Sequence, residues 1–412
     1  MITSARKNRQ VNIVAFAYGA WLAGMMLIQF FMSGGVVSVS IGFALVIVPV
    51  GLHLWLLGSR PGNDTRGLFY FGLFFITIFI SLFANTERFT IEATAQIVGF
   101  AALIVVGYLM AQQWEHHLIE KTFGWFALLF AGVLIIVLLD NDRLWTRLMG
   151  RLHSNLWAAV TIAAIPGALA MRNRAARVLL TIFFLYMIGF EFNARGPLLY
   201  SVATVAAFGI LWTLHNPQKA LRPHIQITAA TMAGIAVLAV IINWDFIAQQ
   251  VLFLDSVTRG INSGFTGRFD LWASLIGIAA DHPFTGVGFR MHDQFVTMPG
   301  LVSAHNAYIA MLVDLGFLGL AFYLLLIGTG LWRSIAKQRR WIIASYLIGY
   351  ALLGLTEARA LNVGNPASAL FVIALMAVLS RRVQQAQQVS TSAEKYVASH
   401  STPLAPANTT PR

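Results

Sequence analysis

The chain reads as a series of long apolar blocks separated by short polar breaks. Blocks near 11–31, 36–57, 68–84, 91–111, 122–139, 156–171, 178–194, 197–214, 225–244, 304–332, 341–357 and 367–381 carry few or no charges. Most approach the ~20 residues a helix needs to cross ~30 Å of hydrocarbon. A soluble core would instead alternate apolar stripes with charged faces. The pattern predicts an all-α polytopic membrane protein of about twelve transmembrane helices. Block 304–332 is too long for one simple crossing. Its first turns should stand outside the hydrocarbon, or the helix should break near Gly316.

The breaks suggest four regions. Residues 1–244 hold nine spans, 245–303 form the longest non-spanning segment, 304–382 hold three more spans, and 383–412 form a tail rich in Gln, Ser, Thr, Ala and Pro. The tail has too little apolar surface to fold alone and is expected to be disordered and cytoplasmic. The first apolar run follows a basic stretch and reaches spanning length, which predicts an uncleaved first helix rather than a cleaved signal. No internal repeat is evident.

Composition sharpens this picture. The chain is 58% hydrophobic and 11% charged. It has no cysteine, which excludes a disulfide framework, thiolate catalysis and thiolate metal sites. Placing the N-terminus in the cytoplasm puts 19 of the 28 basic residues inside and 9 outside, as the positive-inside rule requires. Both termini are then expected to be cytoplasmic and 245–303 an outer-face loop with short helices. Every lysine falls inside, so each outer cation is an arginine.

A connection as long as 245–303 is usually functional or disordered, and its aromatics argue against disorder. Within it, "GRFDLWASLIGIAADHPFTGVGFRMHDQF" predicts a short helix and then a turn-rich loop. Phe269, Trp272, Leu275, Ile276 and Ala279 recur at helical spacing, and Phe269 and Trp272 suit a helix on the membrane surface. Arg268 opens that helix. Arg195 lies in "GFEFNARGPLLYSV" between two blocks, close to the outer interface. An arginine at that depth is a functional candidate unless it pairs, here with Glu191 one turn away. A guanidinium grips phosphate oxygens through a planar fork, whereas ammonium is a hydrated point charge. Arginines gathered on one face therefore suggest a phosphate or diphosphate ligand.

Of the outer histidines, His305 stands at the start of a span, where its imidazole could take a proton near neutral pH or simply cap the helix. "DND" at 140–142 has the form of a metal-dependent transferase motif, but a short acidic loop tip gives the same pattern. "TGVG" at 285–288 could make a tight turn close to a ligand, without the flanking elements of a nucleotide-binding fingerprint.

The run "GRFDLWASLIGIAADHPFTGVGFRMHDQF…SAHNAYIAMLVDLGFLGL", with the upstream "NARGP", resembles the signature region of the O-antigen ligase and polymerase superfamily. The shared pattern has Arg and Trp ahead of a Pro-x-x-Gly-x-Gly turn, then His-Asn entering a span. Family members often carry Glu where this chain has Asp314. The resemblance implies a glycosyltransferase of GT-C-like architecture in the bacterial inner membrane, with its site facing the periplasm. It would move a glycan from undecaprenyl diphosphate to a sugar hydroxyl of lipid A core, with inversion and without metal or cofactor. It implies His305 as catalytic group, Arg195, Arg268 and Arg290 as the diphosphate clamp, and Asn306 and Asp314 as supporting residues. The partners are the lipid-linked glycan, lipid A core oligosaccharide and membrane lipids, with no nucleic acid. A polymerase joining repeat units, a glycosyltransferase acting on protein, and a secondary transporter of an anion are the alternatives. The single large outer segment favours the ligase.

Overall fold

The computed structural model describes residues 2–32, 36–58, 65–88, 90–113, 117–140, 148–149, 152–192, 194–216, 264–296, 303–358 and 361–380. The predicted span at 225–244, Arg259, Asn141 and Asp142 of "DND", Arg359 and the tail lie outside these residues. The other blocks are helices: α1 (Ile2–Phe31), α2 (Val36–Ala44), α3 (Ile47–Leu57), α4 (Arg66–Ala84), α5 (Ile91–Ala111), α6 (Leu118–Asp140), α7 (Ser154–Leu169), α8 (Arg174–Tyr186) and α9 (Arg195–His215). After the loop segment come α10 (Gly264–Asp281), α11 (Ala307–Trp332), α12 (Trp341–Leu353) and α13 (Pro366–Ser380). The only strands among the described residues are a two-residue antiparallel pair that sets Leu148 opposite His153.

Seven helical segments among the described residues are long and apolar enough to cross a membrane, and α7, α12 and α13 are shorter apolar helices. The protein is an all-α, multi-pass membrane protein. The shorter helices owe their place to position: all of α13 and nearly all of α7 are buried. A helix apolar all round belongs in the middle of a bundle. α13 packs on α5 and α4, α7 on α6, α8, α9 and α12, and α12 on α9. Between lipid-facing helices, association comes from close packing rather than from escape from water. Gly107 of α5 shows this, since a Cβ there would stand 2.7 Å from Met376 Cβ of α13.

Several helices share the same two ends. The starts of α5, α9, α11 and α13 lie with the ends of α4 and α12 at one end. At the other, the starts of α6, α8 and α12 lie with the ends of α7 and α9. α9 alone spans Arg195 to Trp212, about 25 Å at 1.5 Å per residue.

Candidate active site

The helix predicted at 268–279 is present as part of α10, and it turns its apolar stripe inward. Leu271, Leu275 and Ala279 join Val287, Met291, Ala304, Ala310, Val313 and Ala358 in a small core of their own. Phe269 and Ile276 face outward. Trp272 is half-buried against this core. Its Nε1 donates to the Ala304 carbonyl at 2.8 Å, satisfying the indole and bracing the residue before His305.

The start of α11 differs from the sequence expectation. Asn306, not His305, is the N-cap, and its Oδ1 accepts from the Tyr308 and Ile309 amides at 2.9 and 3.0 Å. Its Nδ2 donates to the Leu355 carbonyl at 3.2 Å. His305 therefore stands just outside the helix, partly exposed, in the left-handed region at φ 48°. Such a backbone persists only where its neighbours hold it. Here they do: Ala307 N donates to Gly354 O at 2.7 Å and Tyr308 Oη to Ala351 O at 2.6 Å.

Arg268 reaches the same short segment. Its Nη1 donates to the Thr356 carbonyl at 3.3 Å, while its buried Nε and the Thr356 Oγ1 have no hydrogen-bond partner. A buried polar group in that state costs about 1–3 kcal/mol, and an oxyanion would satisfy the Nε donor. Gly196, second in α9, packs on Thr356 closely enough that a Cβ would sit 3.0 Å from Oγ1. The Arg195 backbone thus arrives at the segment that holds Arg268, Asn306 and the chain beside His305. The alternative reading of Arg195 was an ion pair with Glu191. Met187–Glu191 is a π-turn, α9 opens at Arg195, and Glu191 accepts from Tyr186 Oη at 2.8 Å.

The glycine-rich turn is tight, with Gly286 at φ 62° and Gly288 at φ 121°. What it approaches is the backbone of α11. A Cβ on Gly286 would meet the Asp314 carbonyl carbon and oxygen at 2.3 Å. Val287 N and Gly288 N donate to Val313 O and Asp314 O at 2.9 and 3.2 Å. α11 does break at Gly316, at φ 69° and ψ −170°, and Phe317 N donates to Pro283 O at 2.7 Å. Ser81 and Asn85 of α4 add bonds to Asp314 O and Gly286 O at 2.8 and 3.2 Å.

Asp314, expected beside the acceptor, is fully buried and serves His292, which the sequence reading passed over. Oδ2 lies 2.8 Å from His292 Nδ1, and Oδ1 accepts from the Met291 and His292 amides at 2.9 and 2.7 Å. His292 Nε2 lies 3.0 Å from Asp293 Oδ1, outside hydrogen-bond geometry. Burial pulls the imidazole pKa down, but the charges of Asp314 and Asp293 outweigh it and raise it to about 9. For Asp293 burial pushes upward, and the close approach and charge of His292, then Arg290 and Ser303, bring it below its ordinary value. Arg290, at φ 64°, acts on this cluster. Through Ser303 the cluster connects to the chain two residues before His305. Among the described residues no three His, Cys, Asp or Glu side chains form a metal ligand set.

The fold and this site define a multi-pass membrane protein that gathers arginine, imidazole and backbone carbonyls at one end of a helical bundle. Residues 178–324 match the family model described as O-antigen ligase. The match takes in Arg195, Arg268, Arg290, His305, Asn306 and Asp314 and stops short of 354–357. No curated protein matches the chain. The segment "GLTE" was therefore missed both by sequence reasoning and by the family match, although Glu357 is also buried there and engaged.

Proposed function

We propose that the chain is an O-antigen ligase in the strict sense. It would transfer a glycan from undecaprenyl diphosphate to a sugar hydroxyl of lipid A core at the periplasmic face of the inner membrane. The observation that carries this is the convergence on residues 354–356, where Arg268 presents a buried, unpartnered Nε beside the segment that fixes Asn306 and the chain at His305.

In this reading the acceptor oxygen attacks the anomeric carbon from the face opposite the diphosphate. The carbon–oxygen bond to the diphosphate breaks, and its electron pair leaves with the phosphate. His305 takes or orients the hydroxyl proton, and the configuration inverts. Arg195 and Arg268 neutralise the leaving charge, a role that elsewhere falls to metal ions, so the reaction proceeds without metal. Arg290 acts through Asp293 and the loop, and Asp314 through His292. Asn306 sets the helix start from which His305 projects.

The test is complementation of a strain that lacks its ligase, followed by separation of lipopolysaccharide. Glycan on lipid A core is the expected result. Longer chains that remain on the lipid carrier would mean a polymerase, and glycan found only on protein would mean a protein glycosyltransferase.

A further inference from the structure

At the end of the bundle away from His305, α6, α7, α8, α9 and α12 enclose a cavity of about 640 Å³. It takes no part in the site described above. Its lining includes Lys121, Arg172, Arg177, Arg339 and Arg340, against the single carboxylate Glu120. Arg340 Nη1 donates to Glu120 Oε1 at 2.9 Å and also bonds His117 Nδ1, so that carboxylate is already matched. Arg177 uses Nε and Nη2 on the Met171 carbonyl, at 3.2 and 2.8 Å, which fixes the guanidinium plane. Arg172 and Arg339 are exposed at the mouth.

The rest of the wall is apolar, with Trp125, Leu128, Phe208 and Trp212. It is continuous with the outer surface of the bundle, because Leu128 is 47% exposed and Trp125 meets Phe16, 44% exposed, edge-on at 5.2 Å. Two residues of the rim are also unusual. His117 and Arg339 hold φ 55° and 52°, a conformation side-chain-bearing residues adopt at a cost and that gathers at ligand clamps.

Cations in excess demand an anion, and planar forks favour phosphate oxygens over a point charge. Walls open towards the lipid-facing surface demand that the anion carry a hydrocarbon chain. The volume falls in the range of small-molecule sites, enough for a headgroup and its first methylenes. We propose that this cavity binds the phosphate headgroup of an anionic phospholipid, which enters sideways from the leaflet at that end. The site would make retention of the protein's native state depend on lipid charge, independently of the glycan chemistry at the other end.

The experiment uses the purified full chain in detergent, with bound lipid counted by native mass spectrometry and thermal unfolding followed in parallel. Phosphatidylglycerol should bind and raise the unfolding temperature of the unmodified protein more than phosphatidylcholine does. The double variant Arg172→Ala/Arg339→Ala, altered only at exposed positions, should weaken phosphatidylglycerol about 10-fold or more, the scale of one or two lost charge-assisted bonds. Phosphatidylcholine binding should not change. Equal responses of the unmodified protein to the two lipids would overturn the proposal even if the variant failed to fold. So would an unchanged phosphatidylglycerol affinity in a folded variant. Inorganic phosphate at millimolar concentration is the last arm, and if it protected as well as the lipid, a free anion would replace the phospholipid as occupant.

Discussion

The two ends of α9 use arginine to opposite effect. Near Arg195, the Arg268 guanidinium is tied to a backbone carbonyl, and the surrounding chain is stapled by close glycine contacts and a buried ion pair. Near Trp212, Arg172 and Arg339 stand exposed around an apolar cavity. The first arrangement fixes a guanidinium before any ligand arrives, which suits a reaction whose geometry must be set in advance. The second also ties one guanidinium, Arg177, to a carbonyl, but it leaves Arg172 and Arg339 exposed to follow a headgroup. Arginine itself does not distinguish a catalytic clamp from a lipid site.

The largest test of the comparison removes the staple. Gly286→Ala would press a Cβ into the Asp314 carbonyl at a positive φ. The cost should be about 3 kcal/mol or more, read as a lower unfolding temperature together with loss of glycan transfer. His305→Ala comes next, with transfer slowed ~10²–10⁴-fold while the diphosphate carrier still binds. His305→Gln separates the two roles, since an amide can orient a hydroxyl but cannot take its proton. Near-normal turnover in the Gln variant would remove base catalysis.

Arg268→Lys keeps the charge and loses the fork, and about 10- to 100-fold should go from the single-turnover rate. An unaffected lysine variant would mean that only charge matters at this end as well. A smaller effect concerns pH. The His292 pKa is raised to about 9, above the ordinary ~6.5 of a free imidazole. Its contribution to stability is therefore complete below about pH 6.5 and is lost as pH rises through about 9. Thermal unfolding measured across that window should decline in the unmodified protein. Asp314→Asn should begin lower and decline less. The smallest effect is a control: Gly132→Ala, in α6 with nothing within 4 Å of its Cβ, should gain up to about 1 kcal/mol and leave transfer unchanged.

Much of this architecture was legible because each apolar block is long enough to declare a helix by itself. The break at Gly316 was legible too, from the excess length of 304–332. His305 and Asn306 stood out because their chemistry is out of place beside hydrocarbon, and Arg268 because it opens a helix on the face where every cation is an arginine. The parts that were not legible act through the backbone or over distance. Gly354, Leu355 and Thr356 contribute carbonyl oxygens, which any residue type would supply. The Asp314–His292 pair joins residues 22 apart, and neither has a spacing that marks the other as its partner. The same holds for Trp272, whose inward turn depends on an acceptor 32 residues away. The cavity at the other end joins five helices, and no local pattern encodes that meeting.

The discontinuity at Gly316 has a mechanical meaning. The half of α11 above it is clasped by the 283–288 loop and by Ser81, while the half below runs on among the membrane-crossing helices. A continuous rod would carry any tilt of that lower half to the residues at its tip. Bilayers of differing thickness impose such tilts. At the break the ladder of helical hydrogen bonds is interrupted, and the 283–288 loop, not the helix alone, sets the bearing of the part that ends at His305.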